Sequence, residues 1–245
     1  MQIAYYKRWS EHLKRDMEFK VYGKTGRPLL VFPTGCGSFY EFEDFGMVEA
    51  IRPFIESGAV QVYAIDSIDC EAWLADWMYP GDRALKHEMY ARYVTEEVVS
   101  FIRQNNPGAD GIITTGCSIG AYHAANFFFK HPDIFTAVIA LSGLYGPHQM
   151  IGTYSDENVY YNFPLVYLPN MADAWYLDRY RDGDIIVCVG QGAWEADYLR
   201  ETQALEQVLT KLEVPAWFDY WGEDVEHDWP WWQQQLPYFL GHLKF

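Results

Sequence analysis

The chain has 245 residues, 50% of them hydrophobic, and a formal net charge of −16. That composition excludes disorder and allows one large core, and so acidic a surface disfavours nucleic acid and anionic membranes as partners. No apolar run approaches the roughly 20 residues that span a bilayer, and Met1-Gln-Ile-Ala-Tyr-Tyr-Lys-Arg-Trp lacks the apolar core of a signal peptide, so the expected location is the cytoplasm.

Residues 1–28 are read as antiparallel strands at one sheet edge, because Met17-Glu-Phe-Lys-Val-Tyr alternates and Gly23-Lys-Thr-Gly-Arg-Pro is a turn. Residues 29–32 form a continuous apolar strand, buried on both faces. The loop that follows carries Gly35 and Gly37, a spacing that lets backbone approach a ligand closely. It leaves the carboxyl end of a central strand, where open α/β sheets bind ligands. A helix over 47–57 and a strand over 60–65 come next, then a long aromatic loop. Asp82 suits the N-cap of a helix running to about Asn105, with Leu85, Met89, Tyr93, Val98, Phe101 and Ile102 on its buried face.

The densest signal lies at 111–131. A β-branched strand over 112–115 runs into Gly116-Cys-Ser-Ile-Gly120, which fits G-x-S-x-G, and an Ala-rich helix over 121–130 follows at once. Strand, turn and helix in that order are the context of a nucleophile elbow, with Ser118 as nucleophile. Side chains at Gly116 or Gly120 would collide with the neighbouring helix and strand. The backbone N–H of Ile119, and that of Gly35 or Cys36 in the earlier loop, are the candidates for an oxyanion hole. His123, one turn into the helix, is expected to pack and not to react.

A strand over 137–142 leads into residues 143–183, which show no clean period and are expected to form short helices walling or covering the site. A strand over 184–189, a helix over 199–212, a strand over 216–221 and a helix over 233–243 complete the chain. Strands alternate with helices, so the fold class is α/β, a mostly parallel sheet with helices on both faces, in one domain spanning 1–245. The cysteines Cys36, Cys70, Cys117 and Cys188 form no C-x-x-C pair, so no metal or redox motif is expected and the four are read as free thiols in a reducing compartment.

A serine hydroxyl needs a base, and the base needs an acid to hold its tautomer. On this fold the order is Ser, then Asp or Glu, then His. The acid belongs after the strand at 184–189, where Glu195 and Asp197 compete. The base belongs after the last strand, where His227 sits in a loop just before a helix and His242 lies on the helix itself. Position favours His227.

The stretches Gly116-Cys-Ser-Ile-Gly-Ala-Tyr-His-Ala, His131-Pro-Asp-Ile-Phe with Leu141-Ser-Gly, and His227-Asp-Trp-Pro-Trp-Trp resemble the putative-esterase family of α/β-hydrolases. That family includes feruloyl-esterase and enterochelin-esterase domains, S-formylglutathione hydrolase (esterase D) and the mycolyltransferases. The resemblance runs from about Met17 to the C-terminus. It implies an α/β-hydrolase fold and a serine esterase with no cofactor. The histidine segment looks like the mycolyltransferases' His-Ser-Trp-Pro-Tyr-Trp. Their acid is a Glu four residues before a Leu-Arg pair, a spacing that Glu195 matches before Leu199-Arg200. Many esterases of the family instead carry Asp three residues after the strand-end glycine, where this chain has Ala193. The reading that follows is hydrolysis of a small-molecule carboxylic ester by Ser118, His227 and Glu195, with Asp197 in reserve. The alternatives are an acyltransferase working through the same acyl-enzyme and a binding protein that keeps the fold without catalysis. Oligomeric state has no signature in the sequence.

Overall fold

The computed structural model describes residues Met1–Phe245. Eight strands, β1 (Ile3–Ser10), β2 (Arg15–Tyr22), β3 (Arg27–Phe32), β4 (Val60–Ile65), β5 (Ile112–Cys117), β6 (Phe135–Leu141), β7 (Asp184–Val189) and β8 (Trp217–Tyr220), join in one sheet. Their spatial order is β1-β2-β4-β3-β5-β6-β7-β8. β1 and β2 form an antiparallel hairpin that adds to β4, as the alternation at 17–22 predicts, and every pair from β4 to β8 is parallel. β4 and β5 are buried at every residue because helices cover both sheet faces.

Helices α1 (Glu41–Asp44), α2 (Met47–Ala50) and α3 (Arg52–Glu56) connect β3 to β4, and α4 (Pro80–Arg92) and α5 (Val99–Asn105) connect β4 to β5. Helix α6 (Ile119–Lys130) follows β5 directly. The short helices α7 (His148–Ile151), α8 (Glu157–Tyr160), α9 (Pro164–Tyr167) and α10 (Ala174–Asp182) fill the β6–β7 connection. Helix α11 (Ala196–Lys211) follows β7, and α12 (Trp229–Leu240) closes the chain. Alternate strand residues serve two core layers. Leu30, Phe32, Val138 and Val187 pack with α4, α5, α6 and α11, whereas Leu29, Val31, Ile139 and Ile186 pack with α2, α3 and α12.

Three expectations need correction. The helix expected over 47–57 is broken into α2 and α3, because Pro53 sits in the first turn of α3, where its missing N–H costs nothing. The helix expected from Asp82 begins at Pro80, with Asp82 inside its first turn, and Tyr93–Val98 is a π-helical stretch between α4 and α5. Each π turn adds a residue relative to the 3.6-residue period. The buried face of α4 is therefore Ala84, His87, Tyr90 and Ala91, while Leu85 and Met89 are 54% and 41% exposed. Finally, Cys36 and Cys70 are joined in a disulfide, with Cα atoms 5.0 Å apart. The loops after the adjacent parallel strands β3 and β4 leave the same sheet edge, so residues far apart in sequence meet there. Cys117 and Cys188 alone are free, both buried, and the thiol argument for a reducing compartment falls away.

Candidate active site

Ser118 stands between β5 and α6 with φ 57° and ψ −123°, a left-handed conformation that a non-glycine residue adopts only under constraint. The constraint comes from its neighbours. A Cβ at Gly116 would lie 2.4 Å from the Gly120 backbone, and one at Gly120 would lie 2.4 Å from the Phe32 carbonyl oxygen. Only glycine lets β5 turn so sharply into a helix packed against β3. The turn is tied down by the Ser118 N–H donating to the Leu141 carbonyl at 3.0 Å. Burial pushes the Cys117 thiol well above its ordinary pKa, so the neighbouring cysteine is not a thiolate.

The acid loop and the histidine loop are knitted together by their backbones. His227 N–H donates to the Ala193 carbonyl at 3.0 Å, and Gly192 N–H to the Val225 carbonyl at 2.8 Å. A side chain at Gly190 would strike the Val225 carbonyl oxygen at 2.2 Å, so this approach also depends on glycine. The result brings His227 Nδ1 to 3.3 Å from Glu195 Oε2. Glu195 is 1% exposed, and its other oxygen accepts a 2.6 Å hydrogen bond from Ser142 Oγ. Ser142 in turn accepts from Trp232 Nε1 at 3.3 Å. Nδ1 faces a carboxylate and so carries the proton, which leaves Nε2 bare as the basic nitrogen. Asp197 lies elsewhere: it accepts from Gln149 at 2.7 Å and pairs with Arg200 at the surface.

Ser118 and His227 line one open cavity of about 460 Å³, together with Gly35, Leu74, Ile119, Leu144, Met150, Trp229 and Trp232. No hydrogen bond joins the two. Ser118 Oγ is instead within reach of the Tyr198 hydroxyl, at 3.4 Å. Tyr198 lies flat against the imidazole, ring centroids 3.9 Å apart and planes 21° from parallel, and Trp232 meets the same ring edge-on at 4.9 Å. Burial raises the Tyr198 phenol above its ordinary pKa and keeps it a neutral donor.

Of the candidate oxyanion donors, Ile119 and Gly35 border the cavity and Cys36 does not. Gly35 packs against Ile119 and Leu74, where a Cβ would come within 3.0 Å of Leu74. Gly37 has a different reason to be glycine: a Cβ there would collide at 2.5 Å with the Glu41 carboxylate. That carboxylate accepts the Thr34 N–H at 2.8 Å and the Thr34 hydroxyl at 2.7 Å, bracing the loop.

His123 packs, as expected: it is fully buried, with Nε2 2.9 Å from Asp69 Oδ1. His242, expected on the last helix, lies just past its end at Leu240 and bonds back to the Tyr238 carbonyl. Sequence reasoning passed over Tyr198 and Ser142. Tyr198 stands three residues after Glu195 in a helix's first turn, the interval that puts two side chains on one face. No three His, Cys, Asp or Glu side chains group as a metal site, and no helix is long and apolar enough to cross a membrane.

The family described as "Putative esterase" matches residues 10–243. No curated protein matches the sequence. Among solved structures, a ferulic acid esterase superposes with a TM-score of 0.77 at 18% identity, covering 98% of this chain and 97% of that one. An S-formylglutathione hydrolase from Agrobacterium tumefaciens gives 0.75 at 17% identity, over 99% and 95% of the two chains. MPT51 of Mycobacterium tuberculosis gives 0.72 at 16% identity, over 99% and 97%. At these identities the likeness is one of fold, the α/β-hydrolase fold.

Proposed function

We propose, from the premise that the chain belongs to the Putative esterase family, that it is a serine hydrolase cleaving a neutral carboxylic ester through an acyl-enzyme. The observation that carries this reading is the shared cavity: Ser118 on a strained elbow, and His227 with Nδ1 turned to a buried Glu195. In the reaction, Ser118 Oγ turns from Tyr198 to His227 and attacks the carbonyl carbon while His227 Nε2 takes its proton. Such contacts are often loose until substrate binds. The N–H groups of Ile119 and Gly35 receive the oxyanion, each worth about 100- to 1000-fold in rate. The carbon–oxygen bond to the alcohol breaks, and His227 returns the proton to the departing oxygen. Water then repeats the sequence against the acyl-enzyme. Glu195 holds the tautomer and faces the imidazolium as it forms.

The cavity wall supports a neutral substrate. Leu74, Leu144, Met150 and Trp229 make it apolar, and it holds Asp228 but no Lys or Arg to pair with an anion. The test is a panel of short- and medium-chain aryl esters given to the unmodified chain and to Ser118→Ala, with products analysed in the presence and absence of methanol. The expected result is hydrolysis that Ser118→Ala abolishes and that carboxylate-bearing esters escape. Activity surviving in Ser118→Ala overturns the reading. Predominant transfer to methanol at low concentration replaces water with an alcohol as the second acceptor and makes the chain an acyltransferase.

A further inference from the structure

Of the cavity's polar groups with no part in the chemistry described so far, the Tyr198 hydroxyl is the one within reach of Ser118. It approaches Ser118 Oγ to 3.4 Å, while its ring covers a face of the His227 imidazole. Strand order places it. Ser118 follows β5; of the proposed oxyanion donors, Ile119 opens α6 directly after it and Gly35 follows the neighbouring β3. Tyr198, Glu195 and His227 all come from the other side, after β7 and β8. A carbonyl oxygen turned toward Ile119 and Gly35 leaves the alcohol oxygen facing the imidazole, because His227 must protonate it. That is the side on which Tyr198 stands.

We infer that the Tyr198 hydroxyl donates a hydrogen bond to the leaving alcohol oxygen during acylation. This rests on the esterase reading above. In the resting site the hydroxyl is occupied by Ser118 Oγ. When Ser118 gives its proton to His227 and its oxygen bonds to the carbonyl carbon, that partner is lost. The oxygen of the breaking bond, one bond further on, takes its place. Tyr198 gives up no proton: His227 Nε2–H supplies the one that ends on the alcohol. The hydrogen bond offsets negative charge that builds on the oxygen before the proton arrives. Its ring meanwhile keeps the imidazole from tilting out of line with Glu195.

The charge to be offset depends on the leaving group. An alkoxide needs the donor, and a nitrophenolate, which spreads its charge over the ring, hardly does. The experiment compares kcat/KM for an alkyl and a 4-nitrophenyl ester of the same acyl group in the unmodified chain and in Tyr198→Phe, which keeps the ring and its stacking. The loss of a hydrogen bond to an oxygen that gathers negative charge predicts about a ten- to hundredfold drop for the alkyl ester and little change for the aryl ester. Fluorophosphonate labelling of Ser118 in the variant reports that the site is still formed. Equal losses on both esters, or no loss on either while labelling persists, overturn the role of Tyr198. If the unmodified chain neither labels nor hydrolyses either ester, the esterase reading itself fails, whatever Tyr198 does.

Discussion

Glu195 and Asp197 are two residues apart, yet one is sealed beneath His227 and the other is a surface carboxylate. The difference comes from where the helix starts. Glu195 occupies the N-cap position of α11 and Asp197 its first turn, so their side chains diverge instead of pointing together. Glu195→Gln places an amide beside the imidazole, and on the proposed mechanism an amide there stabilises the wrong tautomer. The expected loss in kcat is about 10²- to 10⁴-fold, against little change for Asp197→Asn, measured on one ester. A dead Asp197→Asn with an active Glu195→Gln would reverse the assignment. Ser142 belongs to the same device, since its hydroxyl is the second partner of the buried carboxylate and has φ 52° to reach it. Sequence order could nominate residues only where the proposed chemistry requires a type: Ser118, His227, and Glu195 with Asp197 in reserve. Tyr198 and Ser142 make their contacts only once the β6, β7 and β8 loops converge, and the proposed reaction demands neither type, so the three-residue spacing of Tyr198 from Glu195 is the one signal the sequence held for either.

At the scale of elements, the strands from β3 to β8 were legible to within two residues, because turn residues bound them and β3 to β7 are buried on both faces, whereas the largely exposed β1 showed only as part of an antiparallel edge. Helix α4 was not. The apolar spacing of Leu85, Met89, Tyr93, Val98, Phe101 and Ile102 suits one uninterrupted helix, and the π-helical stretch within it shifts the register. The polar side chains His87 and Arg83 face inward there, while Leu85 and Met89 face out. Leu85→Gln should therefore change stability by no more than about 0.5 kcal/mol. Tyr90→Ala should cost about 3 kcal/mol or more, since it empties a fully buried aromatic site and removes the hydroxyl's bond to the Asp66 carbonyl. Urea unfolding of both variants checks this, and the opposite ranking would restore the uninterrupted helix. The β6–β7 connection was legible only as a gap in periodicity. Its start lines the cavity through Leu144, Gln149 and Met150, whereas Tyr167 and Tyr180 pack in the core beside α6. Short helices of four residues carry too few turns to show a period.

At the scale of the whole molecule, the loops leaving the carboxyl edge of one sheet build both the site and its bracing. The Cys36–Cys70 disulfide joins two of them next to Gly35, and it was invisible in sequence because neither cysteine has a diagnostic spacing. Closing a loop with a separation of 34 residues is worth up to about 4 kcal/mol in chain entropy. Unfolded without reductant, the protein should show two titratable thiols, from Cys117 and Cys188, and four after reduction. Reduction should also lower the unfolding temperature, and four thiols before reduction would contradict the pairing. The central claim is that Ser118, driven by His227, is the nucleophile. Its most direct test is reaction with a fluorophosphonate probe, followed by mass-spectrometric location of the adduct, in the unmodified chain and in His227→Ala. One adduct per chain on Ser118, formed at least about 100-fold more slowly without the imidazole, is the predicted result. An adduct on another residue, or labelling of His227→Ala at the unmodified rate, would contradict it.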